Sequence, residues 1–123
     1  MKFPDIVFKG TNTVVSDKLQ SLVEQKFSSL ANFIGDETDV KCEVEFEKES
    51  SHNSGQIYRV EVNLWLAGDL YRVETSKENF EAAIDVVRDE LDRDLSKEHD
   101  KRQTLKRKGG REIKEAVRFG EEA

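Results

Sequence analysis

Residues 75–111, TSKENFEAAIDVVRDELDRDLSKEHDKRQTLKRKGGR, contain one regular apolar repeat. Its members follow each other at steps of four, three, four and four residues: Phe80, Ile84, Val87, Leu91 and Leu95. Residues at this spacing form a single stripe on an α-helix with 3.6 residues per turn. We therefore predict one long C-terminal helix that packs on the core through its first half.

The sequence also indicates where this helix begins and ends. Thr75-Ser76-Lys77-Glu78 has the pattern of a capping box, in which a hydroxyl and a glutamate satisfy free backbone N–H groups of the first turn. Ser76 is the alternative cap. At the other end, Gly109-Gly110 predicts a stop.

The second half of the predicted helix is basic. After Leu95 only Leu105 is apolar before the glycines, and residues 97–111 hold seven basic and two acidic side chains, a net charge of +5. Because the whole chain carries −6, the remainder carries −11. A basic segment on an acidic body favours a polyanionic partner. A solvated helix end is the other interpretation of the same charges.

The composition indicates one ordered cytoplasmic domain. A chain of 123 residues can bury a modest core, and its apolar positions are patterned although 37% of the residues are charged and the mean hydropathy is −0.72. No apolar run approaches the roughly 18 residues of a membrane span, and no signal peptide opens the chain. The single cysteine, Cys42, excludes an internal disulfide, fits a reducing compartment and is expected to be a small buried hydrophobe.

The remaining elements follow from periodicity and turn signals. Residues 6–8 predict a short strand, and Ser16 caps a helix that continues to about Phe33 and is closed by Gly35. Three strands are predicted next from alternating apolar and polar residues: 40–46, 58–66 and 70–75, with a polar loop at 49–55 and a hairpin turn at Gly68-Asp69.

The predicted order is β-α-β-β-β-α, an α+β two-layer sandwich with a four-stranded sheet and both helices on one face. The other sheet face is left to solvent. It should display these residues: Lys41, Glu43, Glu45, Glu47, Arg59, Glu61 and Trp65. A mainly acidic face with one tryptophan is a poor platform for stacking RNA bases, so we interpret Trp65 as a packed or rim residue.

No pattern of catalytic or metal-binding residues is present in the sequence. His52 and His99 have no cysteine or histidine at metal-ligand spacing, and no glycine-rich phosphate loop opens a helix. No nucleophile has a base and an orienting group predictable beside it. We expect a protein that is not an enzyme and has no cofactor or metal.

Five segments together carry a family resemblance. They are IVFKG at 6–10, EQKFSSL at 24–30, VEFEK at 44–48 before a histidine-bearing loop, NFEAAID at 79–85 and LDRDLSK at 91–97. In this order and spacing the chain resembles, over residues 5–108, the ribosome hibernation promoting factors, also called the ribosome-associated inhibitor or sigma-54 modulation protein family. Members typically show an aromatic-Ala-Ala-Ile-Asp run and then Leu-x-Arg-Gln-Leu-x-Lys.

The resemblance implies a function and a domain plan. A member of this family binds the small ribosomal subunit and its rRNA in the channel for mRNA and tRNA, inhibits translation, and stabilises idle ribosomes under stress or in stationary phase. It implies a domain of residues 1–108 with a C-terminal tail, 109–123, and a monomer off the ribosome, without the second, dimerising domain of the long forms. No membrane and no small-molecule substrate are implied.

The resemblance also indicates which residues would contact RNA. Lys26 matches the lysine of the family's first helix, and Arg93, Lys97 and Lys101 match basic residues of its second helix. The full set of candidates adds the next basic residues of the helix: Lys26, Arg93, Lys97, Lys101, Arg102, Lys106, Arg107 and Lys108. Arg93, Lys97 and Lys101 recur at every fourth position, so they should form one exposed stripe; the alternative is that Arg93 pairs with Asp89.

Several acidic residues depart from the family pattern. Glu90 stands where the family usually has lysine, Glu98 and His99 stand where it continues basic, and the back of the helix is acidic: Glu81, Asp85, Asp89 and Asp92. Carboxylates near phosphate weaken RNA binding. A protein-interaction module of the same fold, using the acidic sheet face and Trp65, is therefore the alternative function, and a binder of duplex RNA is a third.

Overall fold

The structure is a computed structural model that describes the backbone of residues 3–49 and 55–119, and the side chains of these residues up to Lys101. The elements are β1 (Ile6–Thr11), α1 (Asp17–Phe27), a 3-10 turn (Ser28–Leu30), α2 (Ala31–Ile34), β2 (Val40–Lys48), β3 (Tyr58–Leu66), β4 (Asp69–Lys77) and α3 (Phe80–Phe119). The strands form one sheet in the order β1-β2-β3-β4, with β1 parallel to β2 and the other pairs antiparallel. The predicted α+β sandwich is confirmed.

The predicted first helix is present but is not continuous. Ser16 caps α1, as predicted, because its Oγ accepts a hydrogen bond from the Leu19 N–H at 3.2 Å. The hydroxyls of Ser28 and Ser29 donate to the carbonyls of Gln25 and Lys26 at 2.7 and 3.1 Å, and the chain changes there to a 3-10 turn. Serine hydroxyls that bond backward in this way often bend a helix.

The predicted capping box of the long helix is wrong. Thr75 and Ser76 pair with Val60 and Arg59 of β3, so they belong to β4. The cap of α3 is Asn79, whose Oδ1 accepts a hydrogen bond from the Ala82 N–H at 2.7 Å. Asparagine is among the strongest N-caps, and the ladder of β-sheet hydrogen bonds outweighs the local capping signal about one turn earlier.

The structure differs from two predictions that rest on glycine residues. The hairpin turns at Ala67-Gly68, not Gly68-Asp69: both residues have positive φ, 52° and 88°, and Leu66 pairs with Asp69 across the turn. Two left-handed residues suit the twist of a tight hairpin. The helix stop at Gly109-Gly110 is also wrong, because α3 continues to Phe119. A glycine inside a helix costs only about 1 kcal/mol relative to alanine, and helix-forming residues follow.

The core lies between the sheet and the helices. All five residues of the predicted apolar stripe on α3 are at most 9% exposed, and they form one core cluster with inward-facing residues of β2, β3 and β4. The ring of Phe46 packs edge-on against Phe80 at 5.2 Å between centroids. Cys42 is fully buried, and this burial, assisted by Glu43, raises the pKa of its thiol to about 12. The cysteine is therefore a buried hydrophobe, as predicted.

Candidate nucleic-acid interface

Helix α3 leaves the core at Leu95. This leucine is 3% exposed, whereas Arg93, Asp94, Lys97 and the side chains from His99 to Lys101 are exposed. The apolar stripe thus holds the first four turns on the sheet and carries the basic part of the helix beyond it.

Three of the predicted RNA-binding residues form an open cationic stripe, which consists of Arg93, Lys97 and Lys101. All three side chains are exposed, and none makes an ion pair or hydrogen bond with another side chain that the structure describes. Asp89, the alternative partner of Arg93, pairs instead with Arg88, whose Nε lies 2.9 Å from Asp89 Oδ1. The exposure predicted for Arg93 is confirmed, and its pairing with Asp89 is wrong.

Lys26 lies apart from the cationic stripe. Its Nζ is 3.0 Å from Asp85 Oδ1, so this lysine bridges α1 to α3. Asp85 and Lys97 are twelve residues apart, which corresponds to about 120° around the helix and about 18 Å along it. The structure therefore does not bring Lys26 together with Lys97, although the side chain of Lys26 remains 36% exposed.

The other four candidates belong to α3 but not to the described side chains. Arg102, Lys106, Arg107 and Lys108 are helical in the backbone, and their side chains lie outside the described part of the structure. Their contribution to RNA binding stays a prediction.

The acidic back of α3 is partly paired with neighbouring side chains. Asp85 contacts Lys26, Asp89 contacts Arg88, and Asp92 Oδ1 accepts a hydrogen bond from Ser96 Oγ at 3.1 Å. These contacts reduce the repulsion that the acidic back would impose on a polyanion.

Glu90, Asp94, Glu98 and Asp100 are acidic residues near the cationic side. Glu90 precedes Lys97 by seven residues, almost two full turns, and Asp94 lines the same surface cleft as Lys97 and Lys101. In that region they oppose an approaching phosphate. Glu90 is therefore expected to weaken RNA binding in the folded protein, as the sequence predicts.

The charged side chains of the central strands on the bare sheet face are paired with one another. Arg59 lies at its centre: Nη1 is 3.1 Å from Glu47 Oε1 and 3.8 Å from Glu45 Oε1, and Nη2 contacts Glu61 and Glu74. Burial opposes its charge, but hydrogen bonds to Glu74 and Glu61 outweigh burial and raise the pKa of Arg59.

The remaining charges of this face are also paired. Glu61 is only 8% exposed and has a lowered pKa, since hydrogen bonds from Asn63 and Arg59 and the charge of Arg72 outweigh the effect of burial. Trp65 is half-buried, with Lys41 Nζ 5.3 Å from its ring centroid, which agrees with a rim tryptophan. The face offers neither a positive field nor paired aromatics for nucleic acid.

The described part of the chain offers no metal-binding cluster and no membrane-spanning helix. His99 packs edge-on against Phe33 at 6.1 Å, and His52 lies outside the described residues. Among the side chains that are described, no three histidine, cysteine, aspartate or glutamate residues are grouped so that they could hold a metal ion. In the same part of the chain, no helix is both long and apolar enough to span a bilayer.

The sequence profile of the family described as "Sigma 54 modulation protein / S30EA ribosomal protein" matches residues 6–103. The chain belongs to this family. Its fold is similar to the crystal structure of the Thermus thermophilus Protein Y N-terminal domain, with a TM-score of 0.62 and 26% identity over 73% of this chain and 92% of that one. The family resemblance seen in the sequence is confirmed.

A second solved structure has the same fold. A ribosomal subunit interface protein from Coxiella burnetii aligns with a TM-score of 0.60 and 20% identity, over 76% of this chain and 96% of its own. No curated protein sequence matches this one significantly.

Proposed function

We propose that this protein binds the small ribosomal subunit through its rRNA, in the channel for mRNA and tRNA, and thereby inhibits translation and stabilises idle ribosomes under stress. It acts in the cytoplasm as a binding protein, without catalysis or cofactor, and is a monomer off the ribosome. The open cationic stripe of Arg93, Lys97 and Lys101 carries the proposal. Membership of the S30EA ribosomal protein family and the similarity to Protein Y support it.

The physical basis is neutralisation of phosphate by exposed cations. Each lysine or arginine that meets a phosphate releases counterions, so affinity falls as salt rises, by about 0.9 in the logarithmic slope per contact on a duplex. Such contacts recognise the shape and charge of folded RNA and do not require base-specific readout. The stripe is suited to this role because no carboxylate among the described side chains has to be displaced from it.

The alternative interaction module receives less support from the structure. It would use the bare sheet face, whose glutamates are already held by Arg59 and Arg72. A protein partner would have to replace these contacts or leave charges buried without partners, which is costly. A pull-down that yields a defined protein and no ribosomal component would favour this alternative.

Co-sedimentation of the purified protein with small subunits tests the proposal. We expect wild type to migrate with the subunit at low salt and to be released as salt rises. Replacing Arg93, Lys97 and Lys101 together by glutamate should lower the affinity by about 100-fold or more, because three contacts become repulsive. The matched control replaces Lys9, Lys18 and Lys48 by glutamate. It changes the net charge by the same amount, at exposed positions away from α3. Equal co-sedimentation of wild type and the α3 variant would contradict the proposal.

A further inference from the structure

We propose that β1 pairs edge to edge with β1 of a second copy of this chain, in an antiparallel register centred on Val7. In this register Asp5 of each copy lies opposite Lys9 of the other, and Ile6 lies opposite Phe8. This inference goes beyond the proposed function and does not depend on it, because it concerns a sheet edge away from the cationic stripe of α3.

β1 forms an open edge of the sheet. Its one neighbour in the described chain is β2, so backbone N–H and C=O groups on the other side of β1 face no strand. Helix α1 does not close this edge, since a cleft of about 470 Å³ lies between the first residues of β1 and the α1 side chains of Gln20, Glu24 and Ser28. A second strand therefore has both hydrogen-bonding groups and space beside β1.

The inner face of β1 is apolar and held in place. Ile6 lies opposite the buried Cys42 of β2, so Ile6 and Phe8 point toward the helices, and both are half-buried. Phe8 also stacks on Phe46, with 6.4 Å between the ring centroids. These contacts fix β1 in the isolated molecule, and Ile6 and Phe8 border the cleft that a partner strand would fill.

The side chains that alternate with these are exposed. Val7 is 56% exposed on the bare sheet face. Asp5 and Lys9 lie two residues before and after it, at the outer border of this face, and both are exposed. Neither makes an ion pair or a hydrogen bond with another side chain that the structure describes. The edge thus presents an apolar residue between a carboxylate and an ammonium group that are unpaired within that part of the chain.

This order of side chains is complementary to itself across a two-fold axis. Residues equally distant from Val7 lie opposite each other in an antiparallel pair centred there. Asp5 therefore meets Lys9 twice, and Ile6 meets Phe8 twice, as the symmetry of a two-fold dimer requires. Cross-strand pairs of opposite charge, and of an aromatic with a β-branched residue, are favourable. A pair centred on Ile6 or Phe8 would place Val7 opposite Asp5 or Lys9 and would lose both kinds of contact.

The contact is small. β1 has six residues and is about 20 Å long, whereas stable interfaces bury roughly 1,200–2,000 Å². A contact confined to two such strands falls below this range, so the protein stays a monomer in dilute solution, as in the proposed function, and pairs when it is concentrated. Helix α3 packs on β3 and β4, so the cationic stripe remains outside the paired edge.

Sedimentation equilibrium of the full chain tests the inference. The apparent mass of wild type should rise from that of a monomer at about 10 μM toward that of a dimer at about 1 mM, the range expected for so small a contact. Asp5→Lys and Lys9→Asp should each weaken self-association by about tenfold or more, because both charge pairs of the symmetric dimer become repulsive. An equimolar mixture of the two variants should associate again, since each lysine of one chain then lies opposite an aspartate of the other.

Two exposed positions away from β1 supply matched controls. Asp36→Lys and Lys18→Asp make the same changes in net charge, and both should self-associate as wild type does. Circular dichroism verifies that all four variants fold. A wild type that stays monomeric over the whole concentration range, or a mixture of the two β1 variants that associates no better than either alone, would overturn the inference.

Neither of these results affects the proposed function. Asp5→Lys and Lys9→Asp leave the cationic stripe intact, so both variants should co-sediment with small subunits much as wild type does. Conversely, a wild-type protein that does not co-sediment would refute the proposed function, while rescue of self-association in the mixture would still locate the contact at β1.

Discussion

Glu90 is an acidic residue that opposes the proposed interface. It is half-buried on the cationic side of α3, nearly two turns before Lys97, and has no ion pair among the described side chains. A carboxylate there repels the phosphate that Arg93 and Lys97 attract, so the residue reduces the affinity that the stripe would otherwise give.

Glu90→Lys should therefore strengthen ribosome binding. We expect a gain of about three- to tenfold at moderate salt, and a logarithmic salt slope steeper by about 1, because the new lysine adds a phosphate contact. The measurement is a salt titration of co-sedimentation. Glu24→Lys, with the same charge change on an exposed position of α1, should raise binding much less. Identical gains from the two variants would show that net charge matters and the position does not.

At the scale of elements, α3 shows which features can be predicted from sequence. The apolar stripe predicted its buried residues correctly, since burial of one helix face depends only on the helical period. The start of α3 was predicted wrongly because β4 keeps Thr75 and Ser76 in its ladder, a tertiary effect that a local capping pattern does not include. The open edge at β1 could not be predicted, because the order of strands in the sheet depends on tertiary pairing.

The cap at Asn79 gives an element-scale prediction. Asn79→Ala should lower the free energy of unfolding by about 1 kcal/mol, because the Ala82 N–H loses its acceptor. Urea denaturation monitored by circular dichroism measures the change. Glu78→Ala is the control: a capping box would make Glu78 important, whereas a cap at Asn79 leaves it a solvated side chain. A larger loss of unfolding free energy for Glu78→Ala than for Asn79→Ala would support the capping box instead of the cap at Asn79.

The charge network on the sheet predicts a pH dependence of stability. The pKa of Glu61 is lower in the folded protein than its ordinary value of 4.5, so the folded state binds fewer protons there than the unfolded state. The contacts of ionised Glu61 therefore stabilise the fold above the pKa that Glu61 has in the unfolded chain. This contribution is lost as the pH falls through the pKa of Glu61 in the folded protein. Acid should thus weaken the fold below about pH 4.5.

Glu61→Gln should remove part of this dependence. The variant should be less stable than wild type at neutral pH, because Arg59 and Arg72 lose a charged partner, and the difference should shrink as the pH falls. Urea denaturation across the acidic range measures it. Glu43→Gln, at an exposed pair with Lys41, is the control and should change the profile little. If the difference in unfolding free energy between wild type and Glu61→Gln stayed constant with pH, Glu61 would not be the source of the pH dependence.

At the scale of the whole molecule, opposite charges are separated by the fold. The chain carries −6, yet the carboxylates of the bare sheet face are paired, whereas Arg93, Lys97 and Lys101 on α3 are exposed and have no partner among the described side chains. RNA repels a negatively charged body. Because the charges are separated, the cationic stripe on α3 can approach RNA while the sheet faces another direction. The charge asymmetry could be predicted from sequence, but the pairing of the sheet carboxylates could not, because it depends on strand register.

Photo-crosslinking from a defined position on α3 tests the central claim most directly. A photoreactive residue in place of Asp100, which is exposed near the cationic stripe and leaves its lysines intact, would be irradiated in the presence of small ribosomal subunits. We predict a crosslink to small-subunit rRNA that disappears at high salt, and no rRNA crosslink from the same residue placed at Glu43 on the sheet. An rRNA crosslink from Glu43 with none from Asp100 would show that the protein meets RNA through another surface.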